Sequence, residues 1–305
     1  MPRKQRIEFA GATYHIISRG NYRKDLFAVE SCGGAFEKAL FETVERCGWE
    51  LYAYVIMSNH YHLAVRTPEP NLVAGMKWLQ STFATRFNRF TGERGRVFQG
   101  RYKSILLTED QRLGGLIDYI HLNPVRAKMC QMDQLEQHRL SSFARYAEKG
   151  TRPSGLMKET MLRLHGLPNT TRGMVKYRQH LELADEANPR KRDELFKHYC
   201  RGWFMGTADA KKAVAEDLSR STETVWEGVD LKEINKTRWE KLVKQEMRRL
   251  QKSESDIAKS IKGALWKVEI AVTLKTQTTA SNPWIARRLQ MGHPNYVSNL
   301  VSAAK

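Results

Sequence analysis

His60 and His62 stand one residue apart in "AYVIMSNHYHLAVRTPEPNL", a run of strand-forming residues. Side chains alternate along a strand, so residues i and i+2 share a face. Both imidazoles then project from one side, and Tyr61, Leu63 and Val65 make an apolar set for the other. Two convergent imidazoles are half of a metal site. A partner lies in "TEDQRLGGLIDYIHLNPVRA", where Tyr119 and Asn123 are four residues apart and share one helix face. They sit at the flank of the buried stripe Leu113, Leu116, Ile117 and Ile120, where both can meet a group above the sheet. Pro124 disfavours helical backbone at Asn123, which therefore belongs to the last turn or just past it. The amide oxygen of Asn123 with His60 and His62 gives three ligands for a hard divalent cation such as Mg²⁺ or Mn²⁺, with positions left for water or phosphate oxygens. Such an ion polarises a phosphodiester. Tyr119, one turn before Asn123, is placed as the nucleophile, and its phenol, ordinarily titrating at about 10, needs deprotonation or metal assistance.

Each piece alone is weak. A His-x-His pair is more often two ordinary strand residues, and Tyr119 is one of eleven tyrosines. His15 and His121 are further candidate ligands or bases. The combination carries the argument, and the rest of the chain must position it.

The 305 residues carry 51 Lys and Arg against 33 Asp and Glu, a net charge of +18. Both halves share the excess, and between His60 and Thr108 only Glu69 and Glu93 oppose eight basic residues. Solubility does not require such bias, so the expected partner is a polyanion, nucleic acid. The hydrophobic share of 41% excludes a disordered chain. No apolar run nears the roughly 20 residues that cross a bilayer, and the basic start "MPRKQRIEFAG" leads into no signal-peptide apolar region. Cys32, Cys47, Cys130 and Cys200 form no C-x-x-C pair. They read as reduced thiols of a cytoplasmic, nucleoid-associated protein without a structural zinc.

The elements alternate. "ATYHIISRG" (Ala12 to Gly20) reads as strand, and "SCGGAFEKALFETVERCG" as a helix ending at Gly48. Strands follow at Leu51–Met57 and His60–Arg66 around Ser58 and Asn59. The helix from Asn71 to Phe90 aligns Leu72, Met76, Leu79, Phe83, Phe87 and Phe90. "RVFQGRYKSILL" reads as strand with a bulge or bend at Gly100. The order β-α-β-β-α-β is the ferredoxin-like, split βαβ pattern of an α+β fold. A helix from about Thr108 to Leu122 comes next, with Thr108 and Gln111 as a capping box and Glu109 and Asp110 in its first turn. Gly, Pro and Ser in "EKGTRPSGLM" (Glu148 to Met157) suggest a domain boundary. This divides the chain into residues 1–147, a mainly helical basic extension at 148–280, and 281–305. The last segment, "NPWIARRLQMGHPNYVSNLVSAAK", has helix (Trp284 to Met291), turn (Gly292, His293) and helix (Pro294 to Ala303), a helix-turn-helix pattern for DNA contact.

Residues 1 to about 147 resemble the REP-associated tyrosine transposases, within the single-tyrosine HUH, IS200-like transposases. The likeness runs through "TYHIISRGNYRKDLF", "YVIMSNHYHLAVRTP", "RVFQGRYKSILL", "YIHLNPVRAKM" and "HRLSSF" in order. One departure is Tyr61, aromatic where that family has a bulky aliphatic residue. The resemblance implies that His60, His62 and Asn123 hold the metal and that Tyr119 attacks single-stranded DNA. The product would be a 5′-phosphotyrosine link and a free 3′-OH, on hairpin-forming repeats with a guide sequence at the foot. Arg19, Asn21, Arg101 and Lys103 fall in its basic segments and are expected DNA contacts. No small-molecule cofactor or membrane is implied, and the protein would act as a monomer or homodimer. Compact family members end near residue 150, so this chain is an extended form. A replication- or relaxation-type nickase would more often carry paired tyrosines. A non-catalytic DNA-binding regulator is the reading of another class. An RNA-binding module would need a stretch of exposed sheet aromatics that is not found here.

Overall fold

The strands β1 (Ala12–Arg19), β2 (Glu50–Ile56), β3 (His60–Thr67), β4 (Lys103–Leu107) and β5 (Phe204–Met205) form one sheet in the order β2-β3-β1-β4-β5. The computed structural model describes residues 6–108, 110–148, 152–186, 199–200, 202–219, 232–278 and 280–304. β1 lies between β3 and β4, antiparallel to both, and β2 pairs antiparallel with β3. That is the split βαβ order, extended by β5 running parallel to β4.

Helices α1 (Glu30–Cys47) and α2 (Leu72–Thr91) follow β1 and β3. They cover the face of Tyr61, whose ring lies 4.5 Å from Phe36 of α1 and whose hydroxyl takes a hydrogen bond from Gln80 of α2. Phe27, Phe36, Phe83 and Phe98 close this aromatic core. The stripe of α2 buries Leu72, Met76, Leu79, Phe83 and Phe87, but Phe90, near its end, is exposed.

The opposite face belongs to α3 (Asp110–Arg126). This helix runs past Leu122 and contains Pro124. Proline disrupts helices by losing one N–H and crowding the carbonyl four residues back, and here that cost falls in the last turn, with Asn123 inside it. The capping groups at Glu109, Asp110 and Gln111 lie outside the residues whose side chains are described. The fourth strand is shorter than its sequence suggests. Phe98 makes only an isolated bridge to Gly20, and Gly100, at φ 68°, turns the chain before β4 begins.

The described residues divide into two compact units, Ile7–Gly206 and a second drawn chiefly from Thr207–Lys305. No division falls at Glu148–Met157, because the chain beyond that stretch returns to the sheet. Leu156 bridges Leu51, Lys158 Nζ donates to the Tyr146 carbonyl, and β5 extends β4. The second unit has helices at Ala208–Ser219, Lys232–Arg249, Glu254–Lys259, Leu265–Gln277, Asn282–Arg288 and Pro294–Ala303. Val243, Ile270, Leu274, Ile285 and Val297 fill its core. Buried Lys267 donates to the carbonyls of Ile257 (2.8 Å) and Ser260 (3.1 Å), closing the end of the 254–259 helix. The last two helices are joined by residues 289–293, where Gln290 (φ 50°) and Gly292 (φ 83°) leave helical backbone, so the first ends earlier than Met291.

Candidate active site

The pleat of β1 and β3 decides which side chains meet. His62 pairs across the sheet with Ile17, and His60 with Arg19. Hence His15, Ile17, Arg19, His60 and His62 share one face, with Tyr61, Leu63 and Val65 on the other. Tyr119 of α3 reaches the histidine face: its ring lies 5.4 Å from that of His62 and 5.8 Å from that of His15. The rings of His60 and His62 are 5.1 Å apart. Asn123 lies one turn on, and its Nδ2 donates to the Tyr119 carbonyl at 3.0 Å, so the amide oxygen is the end that could take a cation.

The hydrogen bonds fix the tautomers. His15 Nδ1 lies 2.7 Å from the Tyr199 carbonyl, which can only accept, so Nδ1 carries the proton. Burial lowers the His15 pKa to about 3, leaving the ring neutral with Nε2 as an acceptor. His62 Nδ1, 2.9 Å away, must donate to it, which leaves the lone pair of His62 on Nε2. His60 reaches the same state differently. Its Nδ1 donates to Asn59 Oδ1 at 2.8 Å, and burial, helped by Arg19, lowers its pKa to about 4. His62 is pushed well below its ordinary value, by burial first and then by His15, His60, Arg19 and Arg126. Two neutral imidazoles with Nε2 lone pairs and a nearby carboxamide fit a divalent cation, and the partners at Nδ1 are the outer support that ligating histidines require.

The nucleophile candidate is covered. Tyr119 is only 5% exposed and Asn123 8%. Their flank position on α3 alone would leave them open, but residues from far along the chain close over them. The Tyr199 ring stacks on that of Tyr119 at 5.5 Å, and Cys200 Sγ lies 2.9 Å from the Tyr119 hydroxyl. Gly115, one turn before Tyr119, makes the room: a Cβ there would stand 2.2 Å from the Tyr199 hydroxyl. Lys103 Nζ donates to the Cys200 carbonyl at 2.7 Å, and Leu106 N to that of Trp203 at 2.8 Å. Burial, then Cys200, raise the Tyr119 pKa, while Asn123 and Arg126, whose guanidinium lies 5.5 Å over the ring, oppose the rise.

Among the basic candidates, Arg19 is exposed beside His60, and Lys103 opens β4 at the edge of the site. Arg101 is exposed just before β4, whereas Asn21 donates to the Arg96 carbonyl at 3.2 Å. His121 points away from the site, bonding Tyr177 and Ser142 at 2.8 and 2.7 Å. Sequence reasoning missed Tyr199 and Cys200, which no local pattern links to Tyr119, and the role of His15 in orienting His62, which depends on the pairing of β1 with β3.

A split βαβ sheet with His-x-His on one strand and a tyrosine on the helix behind it defines a class. Residues 8–123 match the family model "Transposase IS200 like". The chain is similar to a Haemophilus influenzae protein assigned as a REP-associated tyrosine transposase, 28% identical over 102 residues. The match covers 30% of this chain and spans 58% of that relative's length. Among solved structures, one similar chain is a REP-associated tyrosine transposase bound to a REP hairpin, at 20% identity and TM-score 0.41, covering 50% of this chain and 89% of that one. Another is a Deinococcus radiodurans protein assigned as a transposase, at 23% identity and TM-score 0.29, covering 36% and 90%.

Proposed function

We propose that this chain is a metal-dependent single-stranded DNA endonuclease and strand transferase acting on hairpin-forming repeat DNA. The observation that supports it most is the approach of Tyr119 to His62, whose Nε2 lone pair is available, as is that of its neighbour His60. His60, His62 and Asn123 would hold Mg²⁺ or Mn²⁺. When bound, such an ion polarises the scissile phosphate and offsets charge building on it. Tyr119 Oη attacks the phosphorus, the bond to the 3′ oxygen breaks, and the 5′ side stays on Tyr119 as a phosphotyrosine while a 3′-OH leaves. Arg126 favours the phenolate. Arg19, Arg101 and Lys103 bind backbone phosphates, and Asn21 lies in the same basic segment. Residues 1–147 would be the catalytic part, and the helix pair within 281–305 a helix-turn-helix that adds duplex affinity.

A phosphate reaches the phenol only when Tyr199 and Cys200 move aside, so the described arrangement is a resting one. The same burial favours a second reading, a non-catalytic DNA-binding regulator. The test is a labelled single-stranded hairpin oligonucleotide incubated with Mg²⁺ or Mn²⁺ and run on a denaturing gel. The transferase yields a protein–DNA adduct that Tyr119→Phe abolishes, and His60→Ala loses it while keeping most DNA affinity, which Lys and Arg supply. Binding without adduct or cleavage across repeat hairpins supports the regulator.

A further inference from the structure

About 100° around α3 from Tyr119, the neighbouring Asp118 meets two histidines from further along the chain. His165 Nε2 lies 2.9 Å from Asp118 Oδ1, and His180 Nε2 lies 2.8 Å from Oδ2. His165 follows the helix Lys158–Leu164, and His180 lies on the helix Thr171–Glu186. We propose that Asp118, His165 and His180 form a second metal site, one that takes Zn²⁺ and ties α3 to the chain beyond residue 157.

Five observations carry this. The three ligand atoms lie within 4.8 Å of one another. Two imidazoles and one carboxylate, with a fourth position for water, are a donor set that suits zinc. A carboxylate only accepts, so both Nε2 atoms now point protons at Asp118, and a cation placed between them replaces those protons. His165 Nδ1 donates to the Met161 carbonyl at 2.8 Å, and Tyr177 donates to Asp118 Oδ1 at 3.0 Å, the outer bonds that hold ligands in register. Finally, His180 is about half exposed, while Asp118 and His165 lie largely buried, so an ion has an entry path into a mostly dry site. Cysteine spacing offers no hint of it, since no thiol takes part.

Uptake is balanced in protons. His165 gives up its Nε2 proton to solvent and ligates through the freed lone pair, keeping the Nδ1 proton on Met161. His180 ligates through Nε2 after moving its proton to Nδ1 or, if charged, losing one. Asp118 is already a carboxylate. His165 and His180 lie beyond the 8–123 transposase match, so this site stands apart from the reading of Tyr119, His60 and His62.

The experiment is titration of Zn²⁺ into chelator-stripped full-length protein by calorimetry, in buffers of different ionisation enthalpy, with DNA absent. Wild type and a His60→Ala, His62→Ala double variant should both bind one zinc at the second site and release at least one proton. His180→Ala, and His180→Gln as a second variant at the same exposed position, should weaken that binding by more than the roughly 10–100-fold lost with an outer partner. Co²⁺ in place of zinc should give a four-coordinate visible spectrum that His180→Ala removes and the double variant keeps. The proposal is overturned if wild type binds no zinc with proton release, if both His180 variants bind as wild type does, or if the double variant loses the site.

Discussion

Two histidine clusters border α3, and the same side chain is neutral in one and favours its charged form in the other. On the sheet side, His15, His60 and His62 have no carboxylate partner among the described residues. Burial therefore holds all three neutral, with His15 at about 3 and His60 at about 4. On the other side, burial also disfavours charge on His165, but the hydrogen bond and charge of Asp118 outweigh it and raise its pKa. Burial disfavours the Asp118 carboxylate as well, yet bonds from His165 and His180 hold its pKa at about 2. One carboxylate at position 118 converts a set of neutral donors into an ion pair. Tyr119, the next residue, faces the neutral set because adjacent helical positions point about 100° apart.

The comparison can be broken or sharpened by substitution. The largest effect is expected at His62→Ala. Losing a ligand of the polarising ion removes several kcal/mol of transition-state stabilisation, a fall of about 10³-fold or more in single-turnover cleavage, with DNA affinity by gel shift little changed. Asp118→Asn should come next and act on stability. Without the carboxylate His165 gives up its charge, and both Nε2–H groups keep only a weaker acceptor, which is expected to cost about 1–3 kcal/mol in denaturant unfolding, whereas the same loss of fold at His62→Ala would erase the contrast between the two sides. His15→Phe removes the acceptor that fixes the His62 tautomer. Mn²⁺ affinity by calorimetry should fall about 10–100-fold, and His15→Gln should recover part of it.

Acid should weaken the fold through buried neutral histidines on both sides. His15 and buried His121, both near 3 when folded, titrate at about 6.5 in the unfolded chain. A depressed folded pKa means stability present above the unfolded value and lost as pH falls. The unfolding midpoint should therefore drop from pH 6.5 toward pH 4, and His121→Gln should flatten that slope. The smallest effect concerns the cover. Tyr199→Ala with Cys200→Ala removes a stacked ring and a weak thiol bond, together worth about 1–2 kcal/mol. Adduct formation should speed up by up to about tenfold, and unchanged rates would mean that Tyr199 and Cys200 do not limit access.

Much of the sheet side was legible because its rules are local. Alternation placed His60 and His62 together, and helical spacing placed Asn123 with Tyr119. Helix length was harder to read, since Pro124 is tolerated in a last turn that the packed sheet holds in place. The cover was not legible at all. Tyr199 and Cys200 stand 80 and 81 residues after Tyr119, and their bonds to it depend on Gly115 and on β5 joining β4. The Asp118 cluster was hidden for the same reason, its histidines coming from helices that the sequence set apart beyond a boundary at Glu148–Met157.

The most direct measurement is where DNA becomes attached. After reaction with a repeat hairpin and Mn²⁺, nuclease trimming and peptide mass spectrometry should find a nucleotide 5′-phosphate on the peptide bearing Tyr119, at the phenolic oxygen. DNA cut with the nucleotide on another residue, or cut with none attached, would contradict the account.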